Sequence, residues 1–213
     1  MRWLGQPIWQ NVLDLWVIQE TLSEIRPDLL IEGGTNQGGS ALFYANLFDL
    51  MGHGRVITID IEKLHSLSHA RIEAITASTL DAEVLRYLHR EAASAASVMV
   101  ILDDDHTAAL YAPLVTVGSF LLVQDGVIDT LPGFGHPPGP LAAIRDFLPT
   151  HPEFRVGRAR CERFPLTHHP DGWLQRFASA HGPTPMSMRS GETEAPPATT
   201  TPQRRAVGWS RKA

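Results

Sequence analysis

The stretch Glu32-Gly33-Gly34-Thr35-Asn36-Gln37-Gly38-Gly39-Ser40 places four glycines behind an acid. Glycines let a backbone approach a ligand closely and expose its amide donors. The spacing is Glu-x-Gly-x-x-x-Gly-x-Ser, not Gly-x-Gly-x-x-Gly, so the dinucleotide fingerprint is not met. An acid at the head of the loop would repel a pyrophosphate. It suits an amine-bearing ligand, such as the methionine portion of S-adenosylmethionine; a tight turn packing helix on strand is the plainer alternative. Asp60 comes 28 residues after Glu32. A carboxylate there can take two hydrogen bonds from ribose hydroxyls, or it can cap a helix. Glu62 is a weaker second acid. Ser78 could reach an adenine edge or serve as a cap.

A second group is Leu102-Asp103-Asp104-Asp105-His106-Thr107. Three consecutive carboxylates repel one another, so they belong in solvent, at a helix start, or around a cation. Gln124-Asp125 follows, and neighbouring parallel strands would bring the two loops together. Oxygen ligands from both loops suit a hard ion such as Mg²⁺, which keeps several waters. N-cap chemistry for a helix after Thr107 is the alternative. His106 could accept a proton from a substrate hydroxyl. His136, His168 and His169 have no comparable neighbours and receive no role. Trp3, Trp9 and Trp16 are core or pocket wall.

These residues need elements to position them, and hydrophobic periodicity supplies candidates. Pro7 to Ile25 reads as a helix ended by Pro27. Leu29–Glu32, Val56–Ile59, Val98–Leu102 and Phe120–Val123 read as short buried strands, with a weaker one over residues 71–77. Ser40–Met51, Leu80–Ala95 and Leu141–Leu148 read as helices, the last started by Pro140. Residues 153–167 can hold a final pair of strands, and Gly126–Pro138 is a long loop. Alternating strands and helices predict an α/β fold, a mostly parallel sheet with helices on both faces. Ligands bind such sheets outside the carboxyl ends of the strands, where every candidate above is expected to lie.

The chain has 213 residues, 43% of them hydrophobic, and a formal charge of −5. That is room for one ordinary domain, over residues 1–180. Residues 181–213, rich in Pro and Thr and net basic, are expected to be a disordered tail. The acidic balance argues against a nucleic-acid binder. The single cysteine, Cys161, excludes an internal disulfide and a Cys-rich zinc site. No membrane span or signal peptide is evident, so a cytoplasmic location is expected. The oligomeric state stays open, a homo-oligomer included.

In joint order the motifs resemble the cephalosporin hydroxylase / rhamnosyl O-methyltransferase family. The stretches that carry the resemblance are Asp14-Leu15-Trp16 with Gln19-Glu20, Arg26-Pro27-Asp28, EGGTNQGGSA over 32–41, GRVITIDI over 54–61, VMVILDDDHT over 98–107, GSFLLVQDG over 118–126, GPLAA over 139–143, and HPDG over 169–172. The resemblance implies a Rossmann-like class I methyltransferase fold, S-adenosylmethionine as cofactor and a divalent metal. It implies cofactor contacts at Glu32, Gly34, Gly38, Ser40 and Asp60. It implies Mg²⁺ on Asp103 and on positions 124 and 125, with Asp105 as an alternative ligand, and His106 as base. The family usually carries Glu-Asp where this chain has Gln124-Asp125, and a longer helix after Thr107.

The expectation is therefore a Mg²⁺-assisted O-methyltransferase acting on a hydroxyl of a sugar or small natural product. One alternative is a family member that binds S-adenosylmethionine but has lost catalysis and acts by interaction. Another is a nicotinamide oxidoreductase, which fits the fold but not the glycine spacing.

Overall fold

A computed structural model of the chain describes residues 1–104, 107–133 and 138–178. Asp105, His106 and His136 lie outside the described residues, as does the tail from 179 onward.

Two-residue strands β1 (Arg2–Trp3) and β2 (Gln6–Pro7) pair antiparallel, and helix α1 then spans Val12–Ile25. The helix thus begins five residues later than the periodicity predicts, because residues 6–7 are held extended against 2–3. Asn11 caps it, its side chain accepting from the Leu13 N–H. Next come β3 (Leu29–Gly33), α2 (Gly39–Met51), β4 (Arg55–Asp60), β5 (Ile72–Thr76), α3 (Ala82–Ala93) and β6 (Val98–Leu102). The four-residue helix α4 (Ala108–Tyr111) leads to β7 (Phe120–Val123), then α5 (Pro140–Phe147), β8 (Phe154–Val156), α6 (Arg158–Cys161) and β9 (Trp173–Arg176).

Seven strands form one sheet in the order β5-β4-β3-β6-β7-β9-β8. The first five run parallel, and β9 and β8 complete the sheet antiparallel. The expected final strand pair is present, but its second member lies at 173–176 rather than before Thr167.

Side chains alternate across a strand, so each buried strand feeds two cores. Leu29 and Ile31 of β3, with Val98, Val100 and Leu102 of β6, pack with Leu88 and Ile144 on one face. Leu30, Met99 and Ile101 pack with Ile18, Leu22, Tyr44 and Phe48 on the other. Covered on both sides, β3, β6 and β7 are fully buried and apolar almost throughout, as a parallel sheet requires. Among the described residues no helix is long and apolar enough to cross a membrane.

Candidate active site

The carboxyl ends of the parallel strands are tied together by backbone hydrogen bonds. Gly34 N–H donates to the Ile59 carbonyl at 2.8 Å, Asp103 N–H to Gly33 at 2.9 Å, and Gln124 N–H to Leu102 at 2.9 Å. The loops after β4, β3, β6 and β7 are therefore adjacent. The chain crosses from one side of β3 to the other at this point, where an α/β sheet opens a crevice.

Glu32 ends up inside, 2% exposed. It accepts from the Ser40 and Thr58 hydroxyls, the latter at 2.6 Å. Thr58 gives its one proton to Glu32, so Thr35, 2.6 Å from Thr58, donates to it in turn. Burial pushes the Glu32 carboxyl up to about 7, with the two hydroxyls pulling the other way and Asp60 adding to the rise. Gly34 adopts φ +92°, and a Cβ there would collide with the Asp103 carbonyl oxygen. The absence of a side chain lets the β3 and β6 loops touch. Gly38, at φ +79°, precedes α2 without any side-chain cap.

Asp60 accepts from the Asn36 N–H at 2.7 Å and the Glu62 N–H at 3.0 Å. It lines a cavity of about 310 Å³ together with Gly34, Ile59, Ile61, Ser78, Thr79, Asp103 and Asp104. Ser78 faces this cavity, and its Oγ accepts from the Leu80 N–H at 3.2 Å. Gly38 and Ser40 line a narrower crevice with Trp9, Gln10 and Asp103.

Asp103 holds its proton far above the usual carboxylate range, because of burial first and then the charges of Asp125, Glu32 and Asp104. A carboxylate so placed needs either a proton or a cation. Among the described residues no three His, Cys, Asp or Glu side chains form a metal cluster. The carboxylates of Asp103 and Asp125 offer the oxygen donors that a hard cation such as Mg²⁺ takes. Gln124 is fully buried, and its Oε1 accepts from Gln10 Nε2 at 2.6 Å. Gln10 Nε2 also reaches Asp103 Oδ2 at 3.3 Å. Thr107 makes no capping hydrogen bond to the short α4.

Three residues that the sequence did not single out for the site lie beside its candidate residues. Gln10 bridges the loops after β6 and β7. Tyr44 has a buried hydroxyl without a partner among the described residues, and its proton is held by burial and by the charges of Glu32 and Asp103. His169, given no role from sequence, is buried, and its Nδ1 accepts the Asp125 N–H at 3.0 Å. Burial pushes its imidazole pKa down, against the pull of Asp14 and Asp125. No short motif announces Gln10 or Tyr44. His169 does sit in the matched HPDG stretch. Of the three tryptophans, Trp3 packs edge-on to Phe43, whereas Trp9 and Trp16 are exposed.

The family described as Rhamnosyl O-methyltransferase/CmcI matches residues 1–177. A rhamnosyl O-methyltransferase of Mycobacterium tuberculosis is 33% identical over 191 residues, covering 82% of this chain and 77% of that one. Among solved structures, CmcI with Mg and SAM superposes with a TM-score of 0.68 at 18% identity, covering 84% of this chain and 77% of that one. MycE, a methyltransferase from the mycinamycin biosynthetic pathway in complex with Mg, SAH and mycinamycin VI, superposes at 0.54 with 20% identity, over 80% of this chain and 51% of that one. At such identities the superpositions speak for the fold.

Proposed function

The chain belongs to the Rhamnosyl O-methyltransferase/CmcI family and is an S-adenosylmethionine-dependent O-methyltransferase, and from that premise we propose that it methylates a hydroxyl of a sugar or small natural product with the help of Mg²⁺. The observation that carries this reading is the meeting of the Glu32–Ser40 loop, Asp60, Asp103 and Gln124-Asp125 at one end of the sheet.

When bound, S-adenosylmethionine supplies the sulfonium methyl, and Mg²⁺ neutralises charge and orients acceptor oxygens. Asp60 and Ser78 form the wall that receives the nucleoside, with Asp60 offering its oxygens to ribose hydroxyls. Gly34, Gly38 and Ser40 line the approach for the amino-acid portion, over the buried Glu32. Asp103 and Asp125 would hold the metal, and the Gln124 oxygen is engaged by Gln10. His106, three residues beyond Asp103, takes the proton of the acceptor hydroxyl on this reading. Holding methyl donor and acceptor in line is then the fold's main contribution to rate.

The relatives named as O-methyltransferases do not favour the alternative of a binding protein without catalysis. Titration calorimetry of S-adenosylmethionine into the purified protein with Mg²⁺ present should give one-site binding. Asp125→Ala should retain that binding and lose methyl transfer. Full transfer by the variant removes Asp125 from the metal site.

A further inference from the structure

We propose that His169 is a positioning residue for Asp125: by accepting the Asp125 N–H it holds that residue in a left-handed turn directly after Gln124, and so fixes the direction of its carboxylate. Asp125 has φ +57° and ψ +23°. A residue with a side chain stays in that region only where its surroundings over-determine it. The His169 ring is such a determinant. Its side chain is 1% exposed, and its Nδ1 lies 3.0 Å from the Asp125 nitrogen. Because Nδ1 accepts, a neutral ring carries its proton on Nε2, which faces Asp14 Oδ2 at 3.8 Å.

The ring itself stands on a braced segment. His169 N–H donates to Thr167 Oγ1 at 3.0 Å, and Thr167 Oγ1 donates to Asp14 Oδ1 at 2.6 Å. His168 N–H donates to Asp14 Oδ2 at 2.8 Å. Gly172 N–H donates to the His169 carbonyl at 3.0 Å, and Val123 N–H donates to the Gly172 carbonyl at 2.9 Å, which fastens the segment to β7. Without the ring acceptor the Asp125 N–H is left unpaired. The residue can then relax to negative φ, which re-aims its carboxylate. This step rests on the metal reading of Asp103 and Asp125.

The test uses the full chain saturated with S-adenosylmethionine, with Mn²⁺ as probe, its binding followed by electron paramagnetic resonance. His169→Phe keeps the ring volume and removes the acceptor. It should weaken Mn²⁺ by about 10–100-fold and leave S-adenosylmethionine affinity unchanged. His169→Asn puts Oδ1 where Nδ1 stood and should restore most of the Mn²⁺ affinity. Wild-type Mn²⁺ affinity in the Phe variant overturns the proposal. So does a parallel loss of cofactor affinity that Asn does not rescue. If Phe is not accommodated, His169→Ala carries the same expectations. If wild-type protein binds no Mn²⁺, the metal reading falls, and exchange of the Asp125 amide decides alone. Slow exchange in wild type and His169→Asn with fast exchange in His169→Phe supports the positioning role, and equal exchange in all three overturns it.

Discussion

Gln124 is a neutral amide where the family resemblance leads one to expect a glutamate. Its amide is buried and pairs with that of Gln10 in both directions, accepting at 2.6 Å and donating at 3.3 Å. A glutamate there would keep the acceptor, lose the donor, and add a negative charge beside Asp103 and Asp125. Metal-free Gln124→Glu should therefore melt several degrees lower, since an unsatisfied buried group costs about 1–3 kcal/mol. Mg²⁺ should raise its melting temperature more than it raises that of wild type. A drop that Mg²⁺ does not reverse would separate Gln124 from the ion. Glu32 gives a pH dependence of definite sign. Its carboxyl rises from 4.5 to about 7 on folding, so the native state binds the proton more tightly than the unfolded chain. The resulting stabilisation is complete below 4.5 and is lost as pH rises through about 7. Glu32→Gln should flatten that fall and make the protein relatively more stable than wild type at pH 8, by on the order of 3 kcal/mol at most. Denaturant unfolding at pH 5 and pH 8 measures the difference. The acids and glycines of the site could be picked out in sequence because their types are unusual in a run. Gln10 could not, because it gains its role from a neighbour more than 100 residues away, and His169 was marked only by its place in the HPDG stretch.

At the scale of elements, strand bounds were legible where burial is complete. β6 and β7 fall on the residues predicted, since a strand covered on both faces is a bare apolar run bounded by polar residues. The antiparallel end of the sheet was less legible. β8 has three residues and β9 four, and a short helix intervenes, so neither offers enough periodicity. The loop before α5 also holds a cap that local spacing hides. Asp129 accepts from the Leu141 N–H at 2.7 Å, from twelve residues upstream. The glycines of two turns can be told apart by a paired substitution. Gly34 and Gly52 both have positive φ, +92° and +65°, so alanine strains either backbone by about 1–3 kcal/mol. Only at Gly34 would the new Cβ also press on the Asp103 carbonyl, whereas nothing lies within 4 Å at Gly52. Gly34→Ala should lose at least about tenfold in S-adenosylmethionine affinity. Gly52→Ala should lose stability and keep its affinity. Calorimetric titration of both variants reads the contrast, and equal affinities would mean that the β3 and β6 loops need not touch.

Over the whole molecule, the crevice is closed by parts of the chain that are far apart in sequence. α1 is the link between them. The residues just before it pack on the glycine-rich loop after β3, where Gln6 donates to the Gln37 carbonyl and Gly39 lies against the Pro7 carbonyl. One turn into the helix, Asp14 is 2% exposed and anchors Thr167 and His168 across more than 150 residues. Further along the same helix, Glu20 and Glu24 meet Arg163 and Arg160 at the surface. Physical chemistry separates the two kinds of tie. The carboxylate of Asp14 is buried and accepts two hydrogen bonds, each worth about 1.5–3 kcal/mol to a charged group. Exposed ion pairs lose much of their attraction to water and salt. Asp14→Ala should therefore lower the melting temperature by many degrees. It should also loosen the 167–172 segment that carries His169, which amide exchange would register at His168 and Asp125. Arg163→Ala should leave both nearly unchanged. Closure of the site would then depend on one buried acid near the start of the chain, and an Asp14→Ala protein with wild-type melting and exchange would show that the sheet alone holds the crevice together.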